Sequence, residues 1–268
     1  FKQKTAYEML RSLVGSEMCI RDSYKTGCFG GWNNMMLKLG VPSKGRLQDD
    51  TIKWFQSRGV SLKRTGSDRE YTGSINGVRG IELVLLSAGE IPKELAKGRI
   101  HLGVTGTDLI YEKLPLHEAQ VTILEEMGFG FADLVIAVPN VWIDVNTLHD
   151  LDAVAAQFRQ THGFRLRIAT KYHNLVRKGL REYGVADYQL VDSQGATEGT
   201  VANLTAEAIA DITSSGATLE ANHLKVLSDG VLLRSQASVF ASKTANWIGL
   251  DNTMSELCAK MNWKDFVL

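Results

Sequence analysis

No excess of either charge marks this sequence: thirty lysines and arginines cancel thirty aspartates and glutamates over 268 residues. That balance removes the electrostatic case for a nucleic-acid partner, although one local pocket can still bind a small anion without altering net charge. Cysteine is scarce as well. Cys19, Cys28 and Cys258 are an odd number without paired spacing, so neither a disulfide framework nor a zinc site follows, and a reducing compartment is implied. No apolar run is long enough to span a bilayer, so no membrane is expected as partner. The N-terminus also lacks the compact apolar core and small-residue cleavage site of a secretory signal. Together these absences point to the cytoplasm.

What is present is the composition of an ordinary globular protein, 44% hydrophobic and 22% charged, long enough for one large domain or two small ones. The first stretch, Phe1–Asn34, reads differently from the rest. Residues 7–14 suit a short amphipathic helix, and Cys28-Phe29-Gly30-Gly31-Trp32-Asn33-Asn34 is glycine-rich with no period. One permitted back-translation of Met18-Cys19-Ile20-Arg21-Asp22 resembles the transposon end used in sequencing-library preparation. The segment is therefore read as a disordered or artefactual extension, the natural protein starting near Met35 or Met36.

From Leu37 onward short β-rich runs alternate with helical patterns, the rhythm of an α/β protein. Residues 37–41, 81–86, 101–104, 134–138, 166–170 and 188–191 read as strands. Helices are expected over 47–58, 91–97, 151–160 and 172–183, with Gly59, Gly98 and Gly184 placed to end three of them. Asn76-Gly77 reads as a hairpin turn. The run 231–241 is long enough to cross between two lobes, with helix after it. The architecture that follows is two α/β lobes with ligands bound between them: residues 35–128 with 238–268 as lobe I, and 129–237 as lobe II.

The most informative segment runs from Ala210 to Leu219. An apolar run delivers Asp211; Thr213, Ser214, Ser215 and Gly216 follow, and a helix start is expected at Thr218. This is the make-up of an anion cradle, since glycine lets N–H groups turn inward, hydroxyls donate, and a helix start adds partial positive charge. An acid just before a phosphate cradle suits the two hydroxyls of a ribose, directly or through magnesium. The same residues equally make an ordinary helix cap.

Four collinear stretches change that balance. Asp211–Thr218 resembles the phosphoribosyl pyrophosphate loop of the ATP phosphoribosyltransferase family, and the runs 207–212 and 215–222 are similar to that family's signature. Pro42-Ser43-Lys44-Gly45-Arg46-Leu47 is similar to that family's first phosphate-facing turn. Leu102-Gly103-Val104-Thr105-Gly106-Thr107-Asp108 is similar to its glycine-threonine-glycine loop, and Arg167-Ile168-Ala169-Thr170-Lys171-Tyr172 to the strand and turn of its second lobe. The resemblance implies a fold like that of type II periplasmic binding proteins, with the active site in the cleft. It implies transfer of the phosphoribosyl group of phosphoribosyl pyrophosphate to N1 of ATP, the first step of histidine biosynthesis, with Mg²⁺ carried by the substrate phosphates. Asp211, Ser214, Ser215, Gly216, Ala217 and Thr218 would meet the donor, with Glu198 close by and Asp211 and Glu198 as catalytic residues. Lys44, Arg46, Gly106, Asp108, Lys171 and Tyr172 would meet ATP.

Two departures stand out. Ser87 occupies a position where many members carry arginine, with Glu90 in place of an aspartate, and Glu207 lengthens another common aspartate. After Gln236 there is room for a strand and a helix but not for the histidine-binding domain of longer members. The resemblance is thus to the short form, which works with a regulatory subunit similar to histidyl-tRNA synthetase; Trp247, Ile248 and Leu257 are candidate partner contacts, with plain core packing the role that competes for each. Two rivals remain open at this level: a two-lobed small-molecule binding protein, and a donor-binding subunit without turnover. If Phe1–Asn34 is an extension, its removal leaves the thermal midpoint and circular dichroism spectrum essentially unchanged; a substantial drop in midpoint would mean that it packs on the core.

Overall fold

The computed structural model of the protein describes residues 36–64, 72–193 and 195–263; the expectations for Phe1–Asn34 lie outside them. The chain runs β1 (Leu37–Pro42), α1 (Arg46–Ser57), β2 (Ser61–Arg64), β3 (Thr72–Asn76), β4 (Ile81–Leu86), α2 (Ile91–Ala96), β5 (Leu102–Gly106), α3 (Thr107–Lys113), α4 (His117–Gln120) and β6 (Val121–Glu126). It continues with β7 (Ala132–Pro139), α5 (Leu148–His162), β8 (Leu166–Thr170), α6 (His173–Glu182), β9 (Tyr188–Asp192), α7 (Gly199–Ala202) and β10 (Ala208–Thr213). Last come α8 (Ala217–Ala221), β11 (Leu224–Ser235), β12 (Ala237–Ser242) and α9 (Asp251–Met261). Among the described residues the strands form two sheets, ordered β2-β3-β4-β1-β5-β12-β6 and β11-β7-β10-β8-β9. The two-lobed α/β architecture is thus what the chain adopts.

Each sheet is buried on both faces, which explains the near-continuous apolar runs of its central strands. In β7, Leu134, Ile136 and Val138 pack with Leu148, Leu151, Val176 and Leu180 of α5 and α6. The alternate residues Val135 and Ala137 pack with Ile209, Leu219 and Leu224 on the opposite face. In the first sheet Leu37, Leu39 and Val41 meet Phe55 of α1 and Leu257 of α9, while Ile91, Leu95 and Ile110 cover the other face. Burying a side chain such as Phe55 contributes roughly 1.5–3 kcal/mol, so it is packing across each sheet that holds these short helices.

Several expectations are refined. Asn76-Gly77 does not make a two-residue hairpin. β3 and β4 are antiparallel, but with Ser74 opposite Glu82 the link spans residues 77–80, because Val78 turns into the core at 3% exposure. α5 begins earlier than expected, at Leu148, since Thr147 and Asp150 form a capping box: the Asp150 N–H donates to Thr147 Oγ1 at 3.1 Å and the Thr147 N–H to Asp150 Oδ2 at 2.9 Å. The run 231–241 is two strands, broken at Gln236. β11 pairs with β7 in one sheet, and β12 lies between β5 and β6 in the other. The segment after β12 is a loop before it is a helix. Trp247 and Ile248 lie in that loop, and Leu257 is fully buried, which removes it as a partner contact.

The second crossing between the lobes, residues 127–131, is tied to the first. The Met127 N–H donates to the Ala237 carbonyl at 2.9 Å, the Ala237 N–H to the Phe129 carbonyl at 2.9 Å, and the Gly128 N–H to Gln236 Oε1 at 3.2 Å.

Two helix-ending glycines separate conformational strain from collision. Gly98 and Gly184 share a left-handed φ, 65° and 74°. A Cβ on Gly98 would come within 2.6 Å of the Thr244 carbonyl oxygen, whereas nothing lies within 4 Å of one on Gly184. Gly184→Ala is expected to cost about 1 kcal/mol and Gly98→Ala clearly more, ~2–3 kcal/mol. Denaturant unfolding of the two variants checks the order, and equal losses would refute it.

Candidate active site

β1, β4 and β5 run parallel in one sheet, and β8, β9 and β10 in the other. In such sheets ligands bind outside the carboxyl ends of the strands. The loops at those ends are 43–45 after β1, 87–90 after β4 and the Gly106-Thr107-Asp108 turn after β5. In the other sheet they are Lys171-Tyr172 after β8, 193–198 after β9 and 214–216 after β10. The Tyr172 hydroxyl donates to Asp108 Oδ2 at 3.1 Å. That contact joins a turn after β5 to a turn after β8, so the two sets of carboxyl ends face each other across one cleft.

The loop after β10 is ordered by its own side chains. Thr213 Oγ1 accepts the Gly216 N–H at 2.9 Å, Ser215 Oγ accepts the Ala217 N–H at 3.4 Å, and Gly216 turns through φ 75°. Ser214, Ser215, Ala217 and Thr218 are exposed, and Gly216 is partly so. Asp211 lies on β10, whose Ala210 pairs in parallel with Thr170 of β8. The residue after each partner is therefore a neighbour of the other, and Lys171 Nζ lies 3.2 Å from Asp211 Oδ1. Asp211 also accepts the Ile212 N–H at 2.8 Å. Glu198 is half-buried at the start of α7, on a loop pinned by the Ser193 hydroxyl donating to Thr197 Oγ1 at 3.2 Å.

On the opposite wall Lys44 and Arg46 are exposed, flanking Gly45, whose φ of 82° turns the chain into α1. Neither cation is ion-paired to a described residue. Gly106 is where β5 enters α3, and a Cβ there would collide with the Asp108 carboxylate. Asp108 and Tyr172 are placed differently from the other candidates. They are 5% and 2% exposed, and their polar atoms are spent on contacts within the protein.

Ser235, which the sequence does not single out, is at the centre of those contacts. Its hydroxyl donates to Asp108 Oδ1 at 2.7 Å and accepts both the Asp108 N–H and the Thr107 hydroxyl at 3.0 Å. Burial, and then the neighbouring Asp108 carboxylate, push the Tyr172 phenol well above its ordinary pKa. Tyr172 is thus a hydrogen-bond donor at any physiological pH.

Both departures from the family pattern have a local account. Glu90 accepts the Ser87 N–H at 3.1 Å and the Ser87 hydroxyl at 2.6 Å, and these bonds hold its carboxyl below the usual range. Residues 87–90 therefore present a stabilised anion to the cleft. The longer Glu207 forks on Arg167, with Nε 3.2 Å from each oxygen, and also accepts the Arg167 N–H at 2.8 Å. Since these residues begin β10 and β8, Glu207 acts on the sheet and not in the cleft. Among the described residues no group of three or more His, Cys, Asp or Glu side chains is placed to hold a metal ion. A magnesium ion here would take its ligands mainly from substrate phosphates, with Asp211 as an acid next to the 214–218 loop. No helix among the described residues is long and apolar enough to cross a membrane.

Comparison with known proteins matches this architecture. A family model described as ATP phosphoribosyltransferase fits residues 87–262. An ATP phosphoribosyltransferase of Cereibacter sphaeroides is 64% identical over 227 residues, covering 85% of this chain and 96% of the relative. One from Rhodopseudomonas palustris is 53% identical over 209 residues, 78% of this chain but 64% of that longer protein. Among solved structures, the ATP phosphoribosyl transferase HisG:HisZ complex of Thermotoga maritima contains a chain with a TM-score of 0.64 and 21% identity. The match covers 85% of this chain and 97% of that one.

Proposed function

Since the chain belongs to the ATP phosphoribosyltransferase family, we propose that its cleft holds the phosphoribosyl donor on the β10 side and ATP on the β1 and β5 side. N1 of the adenine attacks C1 of the donor's ribose. The bond from C1 to the diphosphate oxygen breaks, and its electron pair leaves with the diphosphate. N1 is unprotonated near neutrality, so no general base is required. The work left to the protein is alignment of the two reactants and stabilisation of charge at the ribosyl centre and on the leaving group.

The observation that carries this reading is the neighbouring of Asp211 and the self-ordered 214–218 loop. Asp211 aligns the ribose hydroxyls, while Ser214, Ser215, Gly216, Ala217 and Thr218 receive the 5′-phosphate. Lys171, paired with Asp211 in this structure, would exchange that partner for an anion of ATP. Glu198 faces the ribosyl donor from the β9 side. Lys44 and Arg46, exposed and unpaired among described residues, take the triphosphate, with Gly106 allowing close approach. Asp108 and Tyr172 shape the ATP side from beneath, through their mutual bond. Mg²⁺ bound with the diphosphate would neutralise charge on the leaving group.

Asp211→Ala is expected to lower turnover on the order of a hundredfold, the penalty of lost alignment, with circular dichroism unchanged. A steady-state assay with ATP, phosphoribosyl pyrophosphate and Mg²⁺ measures it; near-normal donor KM and rate would show the loop to be misassigned. The rival reading, a binding protein without turnover, is disfavoured by family membership and sinks outright if the wild-type protein turns over.

The finer reading extends to assembly and to the cytoplasm as the site of reaction. The Cereibacter relative is matched over nearly its whole length, and the Thermotoga neighbour is a two-protein complex. The second of these supports a subunit working with a regulatory partner, which the family resemblance suggests is similar to histidyl-tRNA synthetase. Ile248, 79% exposed in the loop before α9, remains a candidate contact. The single chain is then expected to show low activity and no inhibition by histidine, and the partner to confer both. Saturable inhibition in a histidine titration of the isolated chain would overturn this.

A further inference from the structure

α3 carries two acids four positions apart, Asp108 and Glu112, a spacing that puts both on one helix face. Both are buried, 5% and 6% exposed, although α3 is a single short helix. Both turn to the other lobe. Asp108 takes the Tyr172 hydroxyl. Glu112 takes the first turn of α6: its Oε2 accepts the Asn174 N–H at 3.1 Å and the Leu175 N–H at 3.0 Å. Asn174 Nδ2 in turn donates to the Glu112 carbonyl at 3.0 Å.

α6 has no side-chain cap of its own, because the residue preceding it is Tyr172, whose hydroxyl is directed to Asp108. A helix start leaves N–H groups without intrahelical partners and favours negative charge. Glu112 supplies across the cleft what a local serine or aspartate ordinarily supplies. The capped turn directly follows Lys171-Tyr172. The position of Lys171 relative to the ATP-side loops is therefore set by a carboxylate on the other lobe.

We infer that Glu112 is a positioning residue, fixing lobe I against the β8 turn so that nucleotide and ribosyl donor are held at reacting distance. The inference rests on the reaction proposed above. Each substrate still meets its own wall when the tie is lost, so binding survives and alignment does not.

The test compares wild type with Glu112→Gln and Glu112→Ala, the regulatory subunit present in the assay. Glu112→Gln keeps the volume but loses the charge and one acceptor. Its kcat is expected to fall about tenfold, and that of Glu112→Ala on the order of a hundredfold, with both KM values within about twofold of wild type. Hydrogen exchange followed by mass spectrometry should show faster exchange confined to the first turn of α6. Unchanged kcat, unchanged exchange at Asn174 and Leu175, or exchange accelerated throughout the chain would each overturn the assignment, the last by showing a stabilising role alone. If Glu112→Ala does not fold, Glu112→Gln decides. Exchange needs no turnover, so an inactive wild-type protein would sink the reaction reading while the tie is judged on exchange.

Discussion

Taking a carboxylate out of water costs several kcal/mol unless hydrogen bonds replace the lost hydration, and the structure around Asp108 is organised by that constraint. The acid sits where β5 becomes α3, at 5% exposure. Its two oxygens are satisfied by hydroxyls from two distant parts of the chain, Ser235 at the end of β11 and Tyr172 at the end of β8. Ser235 also receives the N–H of Asp108 and the hydroxyl of Thr107. Removing any member leaves a buried polar group unpaired, so these residues act together.

From this knot the rest of the cleft follows in steps. Tyr172 holds the turn that carries Lys171; Lys171 pairs with Asp211; Asp211 opens the 214–218 loop. An event at the loop on one wall thus has a contiguous path of contacts to α3 on the other. The two departures from the family pattern lie outside that path. Glu207 is consumed by Arg167 at the far end of the sheet, and Glu90 by Ser87 at the β4 loop.

How much of this was legible in the sequence depends on distance along the chain. α1 was readable because its buried residues, Thr51 and Phe55, stand four apart, and β1 and β8 because they are short, almost wholly buried runs. The 213–218 loop was readable because its ordering bonds, such as Thr213 to Gly216, reach three residues at most. β6 was not recognised: its pattern is only half-buried, as suits a strand at the sheet edge, and it ends in Glu125 and Glu126. The hairpin after Asn76 was legible in Asn76-Gly77, but its length was not, because Val78 is drawn into the core, a preference that the turn residues do not carry. Asp108 offered the composition of a ligand-facing residue, but its partner Ser235 lies 127 positions away. Glu112, reaching 62 and 63 positions to α6, was invisible for the same reason.

The two crossings between lobes, residues 127–131 and Gln236, are bonded to each other and so act as a single pivot. A body held at one pivot keeps its freedom to swing. The knot at Asp108 lies next to that pivot through Ser235, where it opposes torque poorly. Glu112 is one helical turn further along α3, about 6 Å away along the helix axis. The same bond strength there acts on a longer lever arm. Small angular errors at the pivot grow with distance from it. A modest tie placed off the axis therefore governs the gap between the walls more effectively than a stronger one placed on it.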